Sequence, residues 1–260
     1  MTRRTRAALA SMMAASGLLA GCSSDDLTDP EGGETALSLS VALGPDGIVG
    51  AVRSIFDVEQ SDGTNVLVMT RVAIVLRDIE LERQFDDCPE PGEEFDEDEC
   101  EKFETGPILL ELPLDGQVAQ LVQVEVEADT YDELEFEVHK PDDDDPDDLA
   151  FIQTNPTFED VSIRVEGTFN GETFIFEQDL NEEQEVELVP PLVVEPGAGS
   201  INLTIVLDVM TWFIREDGSL VDPRTANKGQ PNENPVRDNI RASIEGTDAF
   251  EDSDRDGKRN

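Results

Sequence analysis

The acidic C-terminal sequence Asp252-Ser-Asp254-Arg-Asp256-Gly257 has the residue types and spacing of a cation-binding loop. Alternate Asp residues followed by Gly open many calcium-binding loops, in which the carboxylates ligate the ion and the Gly allows a sharp turn. The twelfth-position Glu that completes an EF-hand site would fall beyond Asn260, so the predicted site rests on Asp252, Asp254 and Asp256. Ca²⁺ is the cofactor that this loop would hold. The alternative is a solvated acidic tail that binds no ion.

A second acidic run, residues 142–148, contains six Asp residues and one Pro. Successive like charges cannot all turn toward one ion, and they repel one another when they are confined. We therefore predict a hydrated loop here rather than a second calcium site.

Catalysis would have to rely largely on carboxylates, because His139 is the only histidine among 260 residues. His139 falls on the polar face of a predicted strand, and we expect a solvated surface residue. A single histidine limits Ser-His-Asp and Cys-His mechanisms. Two carboxylates could serve a glycosidase-like hydrolase, but a chain with 61 acidic residues offers many chance pairs and selects none of them. The sequence therefore does not predict an enzyme.

Cys88 and Cys100 flank a short, strongly acidic segment that contains Pro91 and Gly92. An exported protein meets an oxidising compartment, so we predict a disulfide between these two residues. Closing a loop of this size stabilises a fold by about 3 kcal/mol. The alternative is a pair of free thiols or a metal-binding pair.

The N-terminus has the features of an export signal, with Arg3, Arg4 and Arg6 before a short run of apolar and small residues. That run ends in Leu19-Ala-Gly-Cys22, which resembles the lipobox of bacterial lipoproteins. The resemblance implies cleavage after residue 21 and acylation of Cys22, with Ser23 directing the protein to the outer membrane. Residues 1–21 are then the signal peptide and residues 22–34 a polar tether. An ordinary secretory signal is the alternative.

The composition is strongly acidic, with 61 Asp and Glu against 18 Lys and Arg and a net charge of −43. A field of this sign repels nucleic acid and anionic lipid head groups, so neither is an expected partner. An acid-rich, lysine-poor surface is typical of a highly hydrated, salt-tolerant protein. We therefore expect a saline habitat.

The elements that must position these residues are mostly strands. Apolar and polar residues alternate with period two through residues 121–140, with a link at 130–132, and we predict a hairpin there. A second hairpin is predicted around Asn170-Gly171, the dipeptide that suits a type I′ turn. The only predicted helix covers residues 234–245, capped by Asn234 and ended by Gly246. These elements predict an all-β antiparallel sandwich over residues 35–215, followed by an extension, residues 216–260, with a short helix and an acidic tail. A barrel is the alternative.

Three strand segments carry a further resemblance: the sequence from Val72 to Leu81, that from Pro107 to Pro113, and that from Val124 to Val138. Together with the lipobox they resemble a family of uncharacterised bacterial lipoproteins with a prealbumin-like, carbohydrate-binding-type β-sandwich. The resemblance covers roughly residues 36–210, and Asp129 stands where many relatives carry Gly. It implies the fold and assigns no catalytic residue.

The sequence thus predicts an outer-membrane-anchored lipoprotein that acts as a non-catalytic binding or structural module of the cell envelope. A calcium-assisted module that binds a glycan or an envelope protein is one alternative, and a carboxylate-based hydrolase is another. Glycan platforms usually expose aromatic rings, whereas Trp212 and Tyr131 are both predicted to lie in the core or at a sheet corner.

Overall fold

The computed structural model describes residues 35–44, 52–53, 57–84 and 106–259. All of these residues belong to one compact unit, Gly32–Asn260. The strands are β1 (Thr35–Leu43), β2 (Val52–Arg53), β3 (Val58–Ser61), β4 (Val66–Arg83), β5 (Ile108–Glu111), β6 (Ala119–Val126), β7 (Thr130–Val138), β8 (Ile163–Phe169), β9 (Glu172–Gln178), β10 (Glu182–Val193), β11 (Ile201–Leu207) and β12 (Asp248–Glu251).

These strands form two sheets in a sandwich-like arrangement, which confirms the all-β prediction. The four-stranded sheet has the order β12-β11-β1-β6, with β1 parallel to β11 and the other pairs antiparallel. The eight-stranded sheet runs β10-β7-β4-β3-β2, with β5, β8 and β9 attached along the long strand β4.

The core follows from the alternation of side chains along the strands. In β1 the four alternate residues Leu37, Leu39, Val41 and Leu43 are buried in the main hydrophobic cluster. Trp212 and Tyr131 are fully buried, as predicted, and so are the strand phenylalanines such as Phe136 and Phe176. Burial of such large apolar side chains is the main force that holds two sheets together.

The hairpin predicted at Asn170-Gly171 is confirmed. β8 pairs with β9 from Ile163 opposite Gln178 to Phe169 opposite Glu172. Asn170 and Gly171 both have positive φ, 53° and 80°, as the type I′ turn requires.

The hairpin predicted over residues 121–140 is wrong, because its two strands lie in different sheets. β6 pairs with β1, whereas β7 pairs with β4 and β10. Period two shows that each strand has a buried face but does not name its partner. The chain crosses between sheets at Tyr131, whose hydroxyl donates to the backbone oxygen of Glu127 at 3.1 Å.

The helix predicted near the C-terminus is confirmed as α2 (Glu233–Glu245), with Gly246 at its end and Val236, Ile240 and Ile244 buried. Its N-cap residue is Asn232 and not the predicted Asn234. A second helix, α1 (Pro146–Thr154), was not predicted. Neither of these helices is long and apolar enough to cross a membrane.

Candidate metal centre

The residues that follow β12 form a loop, residues 252–259, which we call the C-terminal loop. Asp252 still bonds to β11. Its backbone N–H donates to the backbone oxygen of Asn202 at 2.9 Å, and its backbone oxygen accepts from the side-chain amide of Asn202 at 3.1 Å. A Cβ added at Gly257 would lie 3.1 Å from the Cβ of Ala42 and 3.2 Å from a methyl of Val118. The C-terminal loop therefore folds back over the face of the four-stranded sheet that points away from the core.

Asp252 anchors this loop through its side chain, which is fully buried. One carboxylate oxygen accepts from the hydroxyl of Thr204 at 3.0 Å and from the N–H of Gly257 at 2.9 Å. The other accepts from the N–H of Asp256 at 3.2 Å. These bonds wrap residues 253–257 around the Asp252 carboxylate, and Arg255 and Gly257 complete the turn with φ of 57° and 74°.

A buried polar network lies under the C-terminal loop and ties Asp252 to two strands. Ser40 donates to the side-chain oxygen of Asn202 at 2.7 Å, and the amide of Asn202 donates to Thr204 at 3.0 Å. Buried polar groups are tolerated when they are hydrogen-bonded in this way. The position of Asp252 is thus fixed by β1 and β11 rather than by the loop alone.

The loop brings together the three predicted ligands. Asp252, Asp254 and Asp256 each offer a carboxylate oxygen, and these oxygens all lie within 4.8 Å of one another. Oxygens on opposite sides of a calcium ion are about 5 Å apart, because Ca–O distances are about 2.3–2.6 Å. The geometry and the all-oxygen donor set therefore fit Ca²⁺. Asp254 and Asp256 are exposed, so backbone carbonyls, water or a partner would supply the remaining ligands.

His139 does not lie on the surface, contrary to the sequence-based prediction. It is only 6% exposed, and its Nε2 lies 2.9 Å from both carboxylate oxygens of Asp148, which is 1% exposed. Asp148 also accepts from the N–H of Asp142 at 2.9 Å and lies 3.9 Å from the guanidinium of Arg77. His139 follows β7 directly, and residues 142–148 lie over it and cover its ring.

The acidic run 142–148 is therefore not a uniformly hydrated loop. Asp145 caps α1 by accepting from the N–H of Asp147 at 2.8 Å, and Pro146 takes the first turn. The backbone N–H of Asp147, with smaller contributions from the N–H of Asp148 and the charge of Arg77, holds the pKa of Asp145 below its usual range although desolvation raises it. A capping residue followed by Pro, here Asp145-Pro146, is the kind of start signal that Asn234-Pro235 gave for α2, and it could have placed Asp148 on a helix.

Eight glutamates form a carboxylate ladder across β4, β7 and β10. Three glutamates of β7 lie opposite three of β10: Glu133 opposite Glu187, Glu135 opposite Glu185 and Glu137 opposite Glu183. On the other side, Glu133 lies opposite Glu82 of β4 and Glu135 opposite Glu80. A hydrogen bond with Glu183, with burial and the charges of Glu183, Glu80 and Glu82, raises the pKa of Glu135 to about 8. Burial, followed by the charges of Glu82 and Glu185, raises the pKa of Glu133. Period two placed these glutamates on one polar face, but their cross-strand register could not be predicted from one sequence.

The cysteine predictions, lipidation of Cys22 and the Cys88–Cys100 disulfide, lie outside the described residues. No family model matches this chain, and neither a curated protein nor a solved structure does.

Proposed function

We propose that this chain is a non-catalytic binding or structural module of the bacterial cell envelope, anchored by lipid at Cys22 and stabilised by Ca²⁺ in its C-terminal loop. The observation that supports the calcium part is that Asp252, Asp254 and Asp256 each place a carboxylate oxygen within 4.8 Å of the others, and that Asp252 is fully buried. The lipobox sequence Leu19-Ala-Gly-Cys22 supports the anchor.

Calcium would act on the C-terminal loop by offsetting the repulsion between its carboxylates. Asp254 and Asp256 are exposed and carry like charges close together, so without a cation they repel each other. A bound ion would hold the loop against the sheet and, through Asp252, protect the edge strand β12. Because Asp254 and Asp256 are exposed, one side of the ion would be open to hydroxyl or carboxylate oxygens of a partner. A glycan or an acidic segment of an envelope protein has such groups.

The surroundings of His139 support a non-catalytic role. Among the described residues, its ring nitrogens lie near carboxylates, Asp148 and Glu137, and no serine or threonine hydroxyl is hydrogen-bonded to it. A hydroxyl nucleophile needs a base within hydrogen-bonding reach.

Calorimetric titration of the purified protein with calcium tests the site. We expect one saturable calcium site that Asp254→Asn removes and that the matched control Asp238→Asn, an exposed acid on α2, retains. Equal binding by both variants, or by magnesium as well as calcium, would refute the proposed site.

Metabolic labelling with a radioactive fatty acid tests the anchor separately. The protein should carry label and sediment with outer membranes, and Cys22→Ser should abolish the label without changing the calcium titration. Label on the Cys22→Ser variant would disprove the assignment of Cys22.

A further inference from the structure

The strand β10 contains extra residues that interrupt its pairing with β7. The pairing runs to Glu187, is interrupted over residues 188–191 and resumes at Leu192, whereas the same interruption on β7 spans one residue, Asp132. The last two of the four residues on β10 are prolines, and proline has no N–H with which to bond to a neighbouring strand. This segment therefore leaves the ladder as a β-bulge does, and bulges are common beside functional sites.

A cavity of about 270 Å³ lies beside this segment, between β10 and β12, and we call it the seam cavity. Its floor consists of buried apolar side chains, those of Leu188, Leu192, Leu203 and Phe250. Pro190 and Pro191 also line it, and its exposed rim consists of Glu251, Ser253 and Arg259. Protein interiors contain few voids larger than a water molecule. The extra residues of β10 thus open a space among core side chains that ordinary packing would fill.

Arg259 ties the two walls of the seam cavity together. Its guanidinium donates to the backbone oxygen of Val189 on β10 and to the carboxylate of Asp248 on β12. It also lies over the ring of Phe250, 5.2 Å from the ring centroid. The charge of Arg259 is therefore already paired with that of Asp248, and the walls are joined before any ligand enters. Ligand pockets are usually formed in advance in this way.

We infer that the seam cavity binds a small, uncharged and apolar molecule of the size of one substituted aromatic ring. An apolar cavity of about 150 Å³ is large enough to bind benzene. The seam cavity, at about 270 Å³, therefore has room for a ring with one or two substituents. Its apolar floor offers an entering molecule contacts with the side chains of the core, and such contacts favour burial of an apolar surface.

The charges around the seam cavity select against ionised ligands. An anion is repelled by Glu251 at the rim and by the net charge of −43. A cation would lose its hydration against a floor of apolar side chains that has no buried carboxylate to pair with it. The inference does not depend on calcium in the C-terminal loop, and it assigns the protein a ligand in addition to its proposed role in the envelope.

The experiment is a titration of the purified protein, labelled with ¹³C at its leucine methyl groups, with toluene at a fixed calcium concentration. An aromatic ring shifts the resonances of methyl groups that lie beside it. We expect saturable shifts at Leu188, Leu192 and Leu203 and none at Leu39, which is buried in β1 away from the cavity. Benzoate, an anion with the same ring, should shift none of them. Shifts that are absent, that extend equally to Leu39 or that benzoate reproduces would overturn the inference.

Two matched variants then locate the binding site. Pro191→Phe places a ring in the seam cavity and should weaken toluene binding at least about tenfold, because the ring occupies the space that the ligand needs. Val193→Phe adds a ring at an exposed position of β10 that does not line the cavity, and it should change the affinity less than about twofold. Equal affinities of the two variants would contradict the site. If Pro191→Phe fails to fold, the pattern of leucine shifts in the unmodified protein still decides the question.

Discussion

The carboxylate ladder should make the fold less stable at neutral and alkaline pH than at mildly acidic pH, and Glu133 provides the cleanest test. Glu133 lies between Glu82 and Glu187 in neighbouring strands. Burial and the neighbouring charges raise its pKa above the ordinary value of 4.5. The folded state therefore binds this proton more tightly than the unfolded state. The stability associated with that proton is complete below pH 4.5 and is lost as the pH rises through the folded pKa.

The magnitude follows from the geometry of paired strands. Directly opposite side chains bring two carboxylates to about 6 Å, where the repulsion in water is about 0.7 kcal/mol for each neighbour. Salt at physiological strength has a screening length of about 8 Å and roughly halves each value. Two neighbours then cost about 0.7 kcal/mol, and partial burial brings the expected gain from Glu133→Gln to about 1 kcal/mol at pH 8. For a domain of this size that gain raises the melting temperature by about 2–4 °C.

Urea unfolding at pH 4 and pH 8, in low and in molar salt, measures this effect without adding the ions of guanidinium. Glu133→Gln should stabilise the protein at pH 8 in low salt only, because a screening length of about 3 Å in molar salt removes the repulsion. Glu195→Gln is the matched control, since Glu195 is exposed and lies outside the ladder. A gain at pH 4 as large as that at pH 8, or no difference from Glu195→Gln, would refute the reasoning.

A parent protein whose stability does not fall from molar to low salt would also argue against a saline habitat.

Three further variants test the fold. Tyr131→Phe should lose about 1 kcal/mol by urea unfolding at neutral pH, because the oxygen of Glu127 loses its donor; an unchanged midpoint would mean that the hydroxyl does not stabilise the corner. Gly167→Ala should lose about 1–3 kcal/mol, since the added methyl would lie 1.9 Å from a backbone oxygen, whereas Gly199→Ala, which has open space, should behave like the parent. Asp62→Asn should reduce the loss of stability that the parent protein shows below pH 4, because three backbone N–H groups and a side-chain amide hold the pKa of Asp62 well below its usual range. The stability that these bonds contribute is present above pH 4 and is lost as the pH falls through the folded pKa. An unchanged loss of stability at acidic pH would contradict this assignment.

Local signals predicted local structure well in this chain. Asn170-Gly171 fixed a turn type and therefore a register, and Pro235 with Gly246 bounded α2 to within two residues. The shape of the C-terminal loop could also be predicted from its motif, because Asp252 and Gly257 contact each other across a single turn.

Pairing between distant segments could not be predicted from one sequence. β6 and β7 alternate in the same way, yet they belong to different sheets, because period two records burial of a face and not the identity of a partner. The burial of His139 could not be predicted for the same reason. Asp148, which covers it, lies nine residues away on a helix that begins within the acidic run 142–148. The support of Asp252 by Thr204 depends on strand pairing across 48 residues.

Thermal unfolding of the purified protein with calcium, with magnesium and with a chelator, at fixed ionic strength, tests the calcium site most directly. Binding to the native state raises the free energy of unfolding by about 2.7 kcal/mol at 100 times the dissociation constant. The account predicts a rise of the melting temperature that is specific to calcium and is lost in Asp254→Asn. An equal rise with magnesium or with plain salt, or one that survives in Asp254→Asn, would mean that the C-terminal loop is only a hydrated acidic surface.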